Sequence, residues 1–149
     1  MPENIKIVTE RLMLKLLNPL PTLEKSEQTY FGLWQISELQ TDLPIGCILV
    51  KPMNLFSELP DFENIEFGWR FIERSWGNGY ATEAASNLFD KVSSQKGIKI
   101  ISATAEKSNQ ASIRVMDKLG MEFVKDITLI VEQKEVESVL YSKKLSAQV

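Results

Sequence analysis

Arg74-Ser75-Trp76-Gly77-Asn78-Gly79-Tyr80-Ala81 joins two stretches of different periodicity. Before it, Ile65 to Ile72 alternates, with Ile65, Phe67, Trp69 and Phe71 on one face and Glu66, Gly68, Arg70 and Ile72 on the other, which predicts a strand. After it, Ala81, Ala84, Ala85, Leu88, Phe89 and Val92 form one apolar stripe with a period of about 3.6, which predicts a helix. Glu83 falls in the first turn of that helix, where a carboxylate complements the dipole. Two glycines at such a hand-over admit two readings. Either they make a tight turn and nothing more, or they let the bare N–H groups of a helix N-terminus close around an anion such as phosphate. Neither a Gly-x-x-x-x-Gly-Lys-Ser/Thr loop nor a dinucleotide fingerprint fed by a first strand is present.

Outward from this turn, the chain reads as short strands and one further helix. Arg11 to Leu16 alternates as a first strand, closed by Asn18-Pro19-Leu20-Pro21, and residues 22–29 are polar, a loop or a single helical turn. Tyr30 to Leu39 and Ile45 to Val50 predict a hairpin turning at Thr41-Asp42-Leu43-Pro44, followed by a loop from Pro52 to Glu63. Gly97 ends the long helix's connection to Ile98–Ala105, whose β-branched, apolar run predicts a strand buried on both faces. Asn109 is an N-cap for a second helix with Ser112, Val115, Met116 and Leu119 on one face and Gly120 just past its end. Phe123 to Val131 and Val139 to Leu145 predict a closing hairpin turned by Glu132–Glu137. The order β-β-β-β-α-β-α-β-β implies a mixed α/β sandwich whose sheet is largely antiparallel with one or more parallel pairs.

Composition bounds the chemistry. A chain of 149 residues, 44% hydrophobic and 25% charged, is expected to be one domain over residues 1–149. Seventeen Lys and Arg against twenty Asp and Glu give a net charge of −3, which argues against a nucleic-acid partner. The chain has no histidine, so Ser-His-Asp triads, Cys-His dyads and His-ligated zinc are excluded within it, and no metal is expected. The single cysteine, Cys47, permits no internal disulfide and reads as an inert strand thiol rather than an acyl-carrying nucleophile. No run approaches the ~20 apolar residues of a membrane helix. Met1-Pro2-Glu3-Asn4 lacks the features of a secretory signal, so a cytoplasmic protein with no membrane partner is expected.

Trp76-Gly77-Asn78-Gly79-Tyr80-Ala81-Thr82-Glu83-Ala84-Ala85 resembles the acetyl-CoA pyrophosphate loop of the GNAT N-acetyltransferase superfamily. The likeness is greatest to the branch that acetylates N-terminal amines of ribosomal proteins. Thr9-Glu10-Arg11-Leu12-Met13-Leu14 resembles that branch's opening strand and Ile65-Glu66-Phe67-Gly68-Trp69-Arg70 its central one. Asn109-Gln110-Ala111-Ser112 through Lys118-Leu119-Gly120-Met121-Glu122-Phe123 is similar to its second signature, an Asn-x-x-Ser helix ending in Lys-Leu-Gly-aromatic. The superfamily's Gln/Arg-x-x-Gly-x-Gly/Ala spacing fits Arg74 with Gly77 and Gly79. It also fits Trp76 with Gly79 and Ala81, the register this branch uses, with tryptophan in first place.

The resemblance implies a mixed, mostly antiparallel sheet of six to seven strands, with helices on its faces and a splayed parallel pair. It implies acetyl-CoA as cofactor, held by Trp76, Gly77, Asn78, Gly79, Tyr80, Ala81 and Thr82, by strand backbone at Phe71 and Ile72, and by Asn109 and Ser112. The expected reaction is acetyl transfer to a primary amine, a protein or peptide N-terminus, by direct attack on the thioester. A small-molecule amine, or a CoA-binding domain without turnover, is the alternative. Glu66 is the candidate base, and a solvated strand carboxylate is its other reading. Many relatives put a tyrosine near position 116 to protonate the thiolate; Met116 reads as core filler, leaving Ser112, water or no group as the acid. Relatives also carry two helices between the first two strands, where only Asn18 to Thr29 is available here. The acceptor side is then open, completed by another subunit as in a homodimer, or lost.

Overall fold

The computed structural model describes residues 5–19, 30–55 and 57–145. The alternation of β5 (Asp61–Phe71) organises the sheet around it. Its inward row registers with rows on its neighbours: Trp69 opposes Ile48 of β4 (Pro44–Met53), which opposes Trp34 of β3 (Gly32–Glu38), which opposes Leu16 of β2 (Leu12–Pro19). Side chains two residues apart share a face, so this register stacks one continuous apolar layer. Leu16, Trp34 and Ile48 are buried within it. Beyond β5 lie β6 (Ile100–Glu106), β8 (Lys134–Lys144) and β7 (Glu122–Val131), and β1 (Lys6–Val8) edges the other side. The sheet runs β1-β2-β3-β4-β5-β6-β8-β7, antiparallel except for β5 against β6.

Helix α1 (Tyr80–Ser93) presses its stripe of Ala84, Ala85, Leu88, Phe89 and Val92 onto that layer. The Phe89 ring meets Phe67 edge-on, with centroids 4.6 Å apart. Helix α2 (Gln110–Lys118) packs on the same face, its Ser112 bonded to Trp69 of β5 and its C-terminal carbonyl at Leu119 accepting from Lys143 Nζ. Both described helices therefore lie on the face that carries Phe67 and Trp69.

The sheet has eight strands rather than six or seven. The addition is β1, three residues that are too short to carry a periodic signal but pair with Met13 to Lys15. Two loops are shorter than expected. Strand β4 runs on to Met53 and β5 starts at Asp61, inside the expected loop Pro52–Glu63, because the buried Pro52 continues the ladder opposite Ile65. Likewise β8 begins at Lys134, not Val139, and the turn is only Glu132-Gln133, both at positive φ. Its charged start lies exposed on a hairpin arm reaching past the core. On β6, Ile101, Ser102 and Ala103 are buried, but Ile98 and Lys99 precede the strand. The expected turn at Leu20-Pro21 and the segment 22–29 lie outside the described residues.

Candidate active site

Strands β5 and β6 pair only at Asn64–Ile100, Ile65–Ile101 and Glu66–Ser102. From there β6 continues with β8 as far as Glu106 while β5 runs on beside β4, so the parallel pair separates toward its C-terminal ends. A cavity of about 470 Å³ opens beside this gap, lined by Trp69 and Phe71, by the glycine turn and start of α1, and by one side of α2. Gly46 of β4 gives Phe71 its place. A Cβ at Gly46 would sit 2.6 Å from Phe71 Cδ2 and 2.7 Å from the Arg70 carbonyl, which no side chain tolerates.

After β5, one 3-10 turn (Glu73–Ser75) bends the chain toward α1. Its side chains lock the bend. Ser75 Oγ donates to the Ile72 carbonyl at 2.7 Å, Trp76 Nε1 to the Phe71 carbonyl at 2.8 Å, and Asn78 Nδ2 to the Ser75 carbonyl at 3.0 Å. Gly77 and Gly79 then adopt φ of +83° and +77°, the left-handed region that glycine enters without a Cβ penalty. Gly79 caps α1 with no side-chain hydrogen bond, so the first-turn amides of Tyr80, Ala81 and Thr82 have no capping acceptor. These amides, with the positive end of the helix dipole, line the cavity. A Cβ on Gly77 would meet no protein atom within 4 Å. The space against the loop is free for a guest.

The charge of the lining is one-sided. Arg70, Arg114 and Lys118 contribute to it and no carboxylate does, on a protein of net charge −3. An anion is the ligand such a lining attracts. The chemistry of the cradle fits a diphosphate: bare amides, a dipole end and detached cations.

A polar cluster behind the loop fixes the start of α1. Glu83 Oε2 accepts from Thr9 Oγ1 at 2.6 Å and from the Arg11 amide at 2.9 Å, while Oε1 accepts from Arg11 Nε at 2.7 Å. Burial pushes the Glu83 carboxyl up, but the Thr9 hydroxyl and the Arg11 amide and guanidinium outweigh it and hold the pKa below the ordinary value. The Arg11 guanidinium also lies 4.6 Å from the centroid of the Tyr80 ring. Tyr80 donates its hydroxyl to Glu38 at 3.0 Å, and this bond, followed by burial, raises the phenol's pKa.

Among the expected cofactor residues, Phe71, Trp76, Gly77, Gly79, Tyr80, Ala81, Thr82, Asn109 and Ser112 surround one cavity. Ile72 and Asn78 do not line it. Ile72 is 40% exposed with its amide bonded to the Ile45 carbonyl, and Asn78 serves the loop itself. On α2, Asn109 Oδ1 accepts from the Ser112 amide at 3.0 Å, the helix cap, while Ser112 Oγ accepts from Trp69 Nε1 at 3.2 Å. Met116 is buried in the core. Glu66 stands at the last paired rung before the gap, on the face away from the helices, and does not line the cavity. It is ion-paired with Lys51, its partner across β4. Cys47 is a half-buried free thiol.

Sequence reasoning missed Arg70, read only as a strand residue, and Arg114 and Lys118 of α2. The spacing of four between the latter two puts them on one side of α2, a signal that marks neighbours without saying what they face. Among the described residues no group of His, Cys, Asp and Glu could hold a metal, and no helix is long and apolar enough to cross a membrane.

The fold has many solved counterparts. A GNAT-family acetyltransferase from Bacillus anthracis superposes with a TM-score of 0.72 at 17% identity, covering 94% of this chain and 98% of that one. The ribosomal-protein-S5-alanine acetyltransferase of Vibrio fischeri does so at 0.73 and 13%, covering 94% and 96%. A putative acetyltransferase from Salmonella typhimurium, solved with its cofactor acetyl-CoA, aligns at 0.65 and 17%, covering 79% and 66%. At these identities the likeness is one of fold. Among curated proteins, the uncharacterized protein YkkB of Bacillus subtilis (strain 168) is 31% identical over 105 residues. That match spans 70% of this chain but 59% of YkkB. A family model described as an acetyltransferase (GNAT) domain matches residues 8–122. With that match laid over β2 to β6, the glycine turn and both described helices, the chain belongs to the GNAT acetyltransferase family, whose acyl donor is acetyl-CoA.

Proposed function

We propose that this chain transfers the acetyl group of acetyl-CoA to a primary amine, the N-terminal amine of a protein or peptide, by direct attack of that amine on the thioester. One observation carries the reading: an uncapped helix N-terminus opens into a cavity lined by three cations and no carboxylate, beside a gap in the sheet. The choice of a peptide acceptor is supported by the resemblance of the loop and the Asn-x-x-Ser helix to the ribosomal-protein branch.

When bound, acetyl-CoA supplies a thioester carbon open to a neutral amine. The amides of Gly77, Gly79, Tyr80, Ala81 and Thr82 would hold the diphosphate, with Asn109 and Ser112 along the arm. Ser112 Oγ accepts from Trp69 and so keeps its own proton to give to a departing thiolate. Amines of this kind have pKa values of about 8–10 and must lose a proton before or during attack. Glu66 is the carboxylate to receive it, through water, and an acceptor amine has to share it with the Lys51 ammonium. Positioning supplies most of the remaining rate.

That Lys51–Glu66 pair favours a second reading, a domain that binds CoA without turnover. Release of free thiol from acetyl-CoA, measured against peptide N-termini and small amines including polyamines, separates the two. Release with peptides supports the proposal, release only with small amines moves the acceptor class, and CoA binding without release on any amine supports the second reading. If titration calorimetry finds no CoA binding, both fail.

A further inference from the structure

Arg11 does not line the cavity, yet it binds Glu83 and covers Tyr80 in the first turn of α1 and comes close to Gly79. Its Nε and amide hold Glu83, its guanidinium covers Tyr80, and its Nη2 lies 3.6 Å from where a Gly79 Cβ would stand. Glu83 matters because of where it sits. A first-turn carboxylate stabilises a helix through the dipole, but here the same dipole end faces an anion site, and an unpaired negative charge behind it opposes a negative ligand. Thr9 and Arg11 take up both carboxylate oxygens, and the side chain is only 15% exposed. The other nearby carboxylate, Glu38, is occupied by the Tyr80 and Thr41 hydroxyls.

From this geometry we infer that Arg11 is a positioning residue for the anion cradle, neutralising Glu83 behind the α1 N-terminus and covering Tyr80 from outside the cavity. The inference rests on the proposed binding of CoA at this loop. It explains why residues at opposite ends of the β2-to-α1 segment, 72 positions apart, meet in two hydrogen bonds, one of them an ion pair. A helix that needed only its own stability gains the dipole benefit from Glu83 without a partner. A cradle for a diphosphate does not.

The test titrates CoA into wild type, Arg11→Met, Arg11→Lys, Glu83→Gln and Arg11→Met/Glu83→Gln by calorimetry at low and high salt, with Tm measured in parallel. Arg11→Met is expected to weaken CoA binding about fivefold at low salt, with the difference from wild type shrinking at high salt. Arg11→Lys keeps the charge and stays within about threefold of wild type. In the double variant the offending carboxylate is gone, so affinity returns to within about twofold even though Tm falls further. Unchanged affinity in Arg11→Met, or a double variant as weak as the single, overturns the inference and leaves Arg11 a packing residue. Should Arg11→Met fail to fold, the comparison of Arg11→Lys at low and high salt with wild type decides: a loss above tenfold with the charge retained refutes the electrostatic role. Absence of CoA binding in wild type is a different result, and it removes the proposed function itself.

Discussion

Gly77→Asn, compared with Gly77→Ala and Gly97→Ala, isolates the ligand from the strain. Gly77 and Gly97 stand at φ of +83° and +89°, and a Cβ at either would meet no protein atom within 4 Å. Alanine in the left-handed region costs about 1–2 kcal/mol, and asparagine enters that region more readily. For a chain of this length each kcal/mol lowers Tm by roughly 2–4 °C. Both alanine variants should therefore melt about 2–8 °C below wild type, and Gly77→Asn at the small end of that range. Ligand binding separates them. Gly97 lies off the cavity, so Gly97→Ala should bind CoA as wild type does. Gly77 lines it, so a side chain there fills the space the diphosphate needs, and both Gly77 variants should lose at least about tenfold in affinity, equivalent to roughly 1.4 kcal/mol. Differential scanning calorimetry and isothermal titration with CoA give the two numbers. Gly77→Asn binding CoA within twofold of wild type would refute the reasoning, because no protein contact is available to explain tolerance at a true cradle.

Three further outcomes follow from the same site. Ser112→Ala should lower kcat by about 10²-fold or more with CoA affinity held within about threefold, and should cost about 1–2 kcal/mol of stability by leaving the Trp69 indole N–H without its acceptor; an unchanged kcat removes Ser112 as the acid. Glu66→Gln should depress kcat/KM by about 10²-fold, and a kcat/KM equal to that of wild type assigns the proton elsewhere. Glu83 has its folded pKa below the ordinary 4.5, so its bonds contribute fully above that pH and are lost as pH falls through the lower folded value. The Tm advantage of wild type over Glu83→Gln should accordingly shrink as the pH falls below 4.5, and a constant difference argues that the charge of Glu83 is irrelevant to the fold.

The parts of this molecule that were legible are those whose neighbours in space are neighbours in sequence. Ile65 to Phe71 and Ala81 to Val92 carry their periodicities locally, and Asn109 announces the cap that Oδ1 makes. The β8 start was not legible, because Lys134, Glu135 and Glu137 are exposed on a hairpin arm beyond the core, and Glu132-Gln133 turns at φ of +51° and +68° without the Asn or Gly that signals such a turn. In the site, the glycine turn could be read directly. The tie between Glu66 and Lys51 could not, since it depends on how β4 and β5 register across an intervening loop. Nor could the meeting of Arg11 with Glu83, which only the packing of α1 on the sheet creates.

The eight-stranded sheet is two ribbons, β1 to β5 and β6 with β8 and β7, sewn together by three residue pairs. Such a seam is the weakest line in an otherwise continuous ladder, and the helices above it act as its splint. With CoA bound as proposed, a tail laid in the gap between the diverging strands would brace this seam as a missing strand would. The protein should therefore stiffen along that line when its ligand arrives, and its two ribbons should breathe against each other when it leaves.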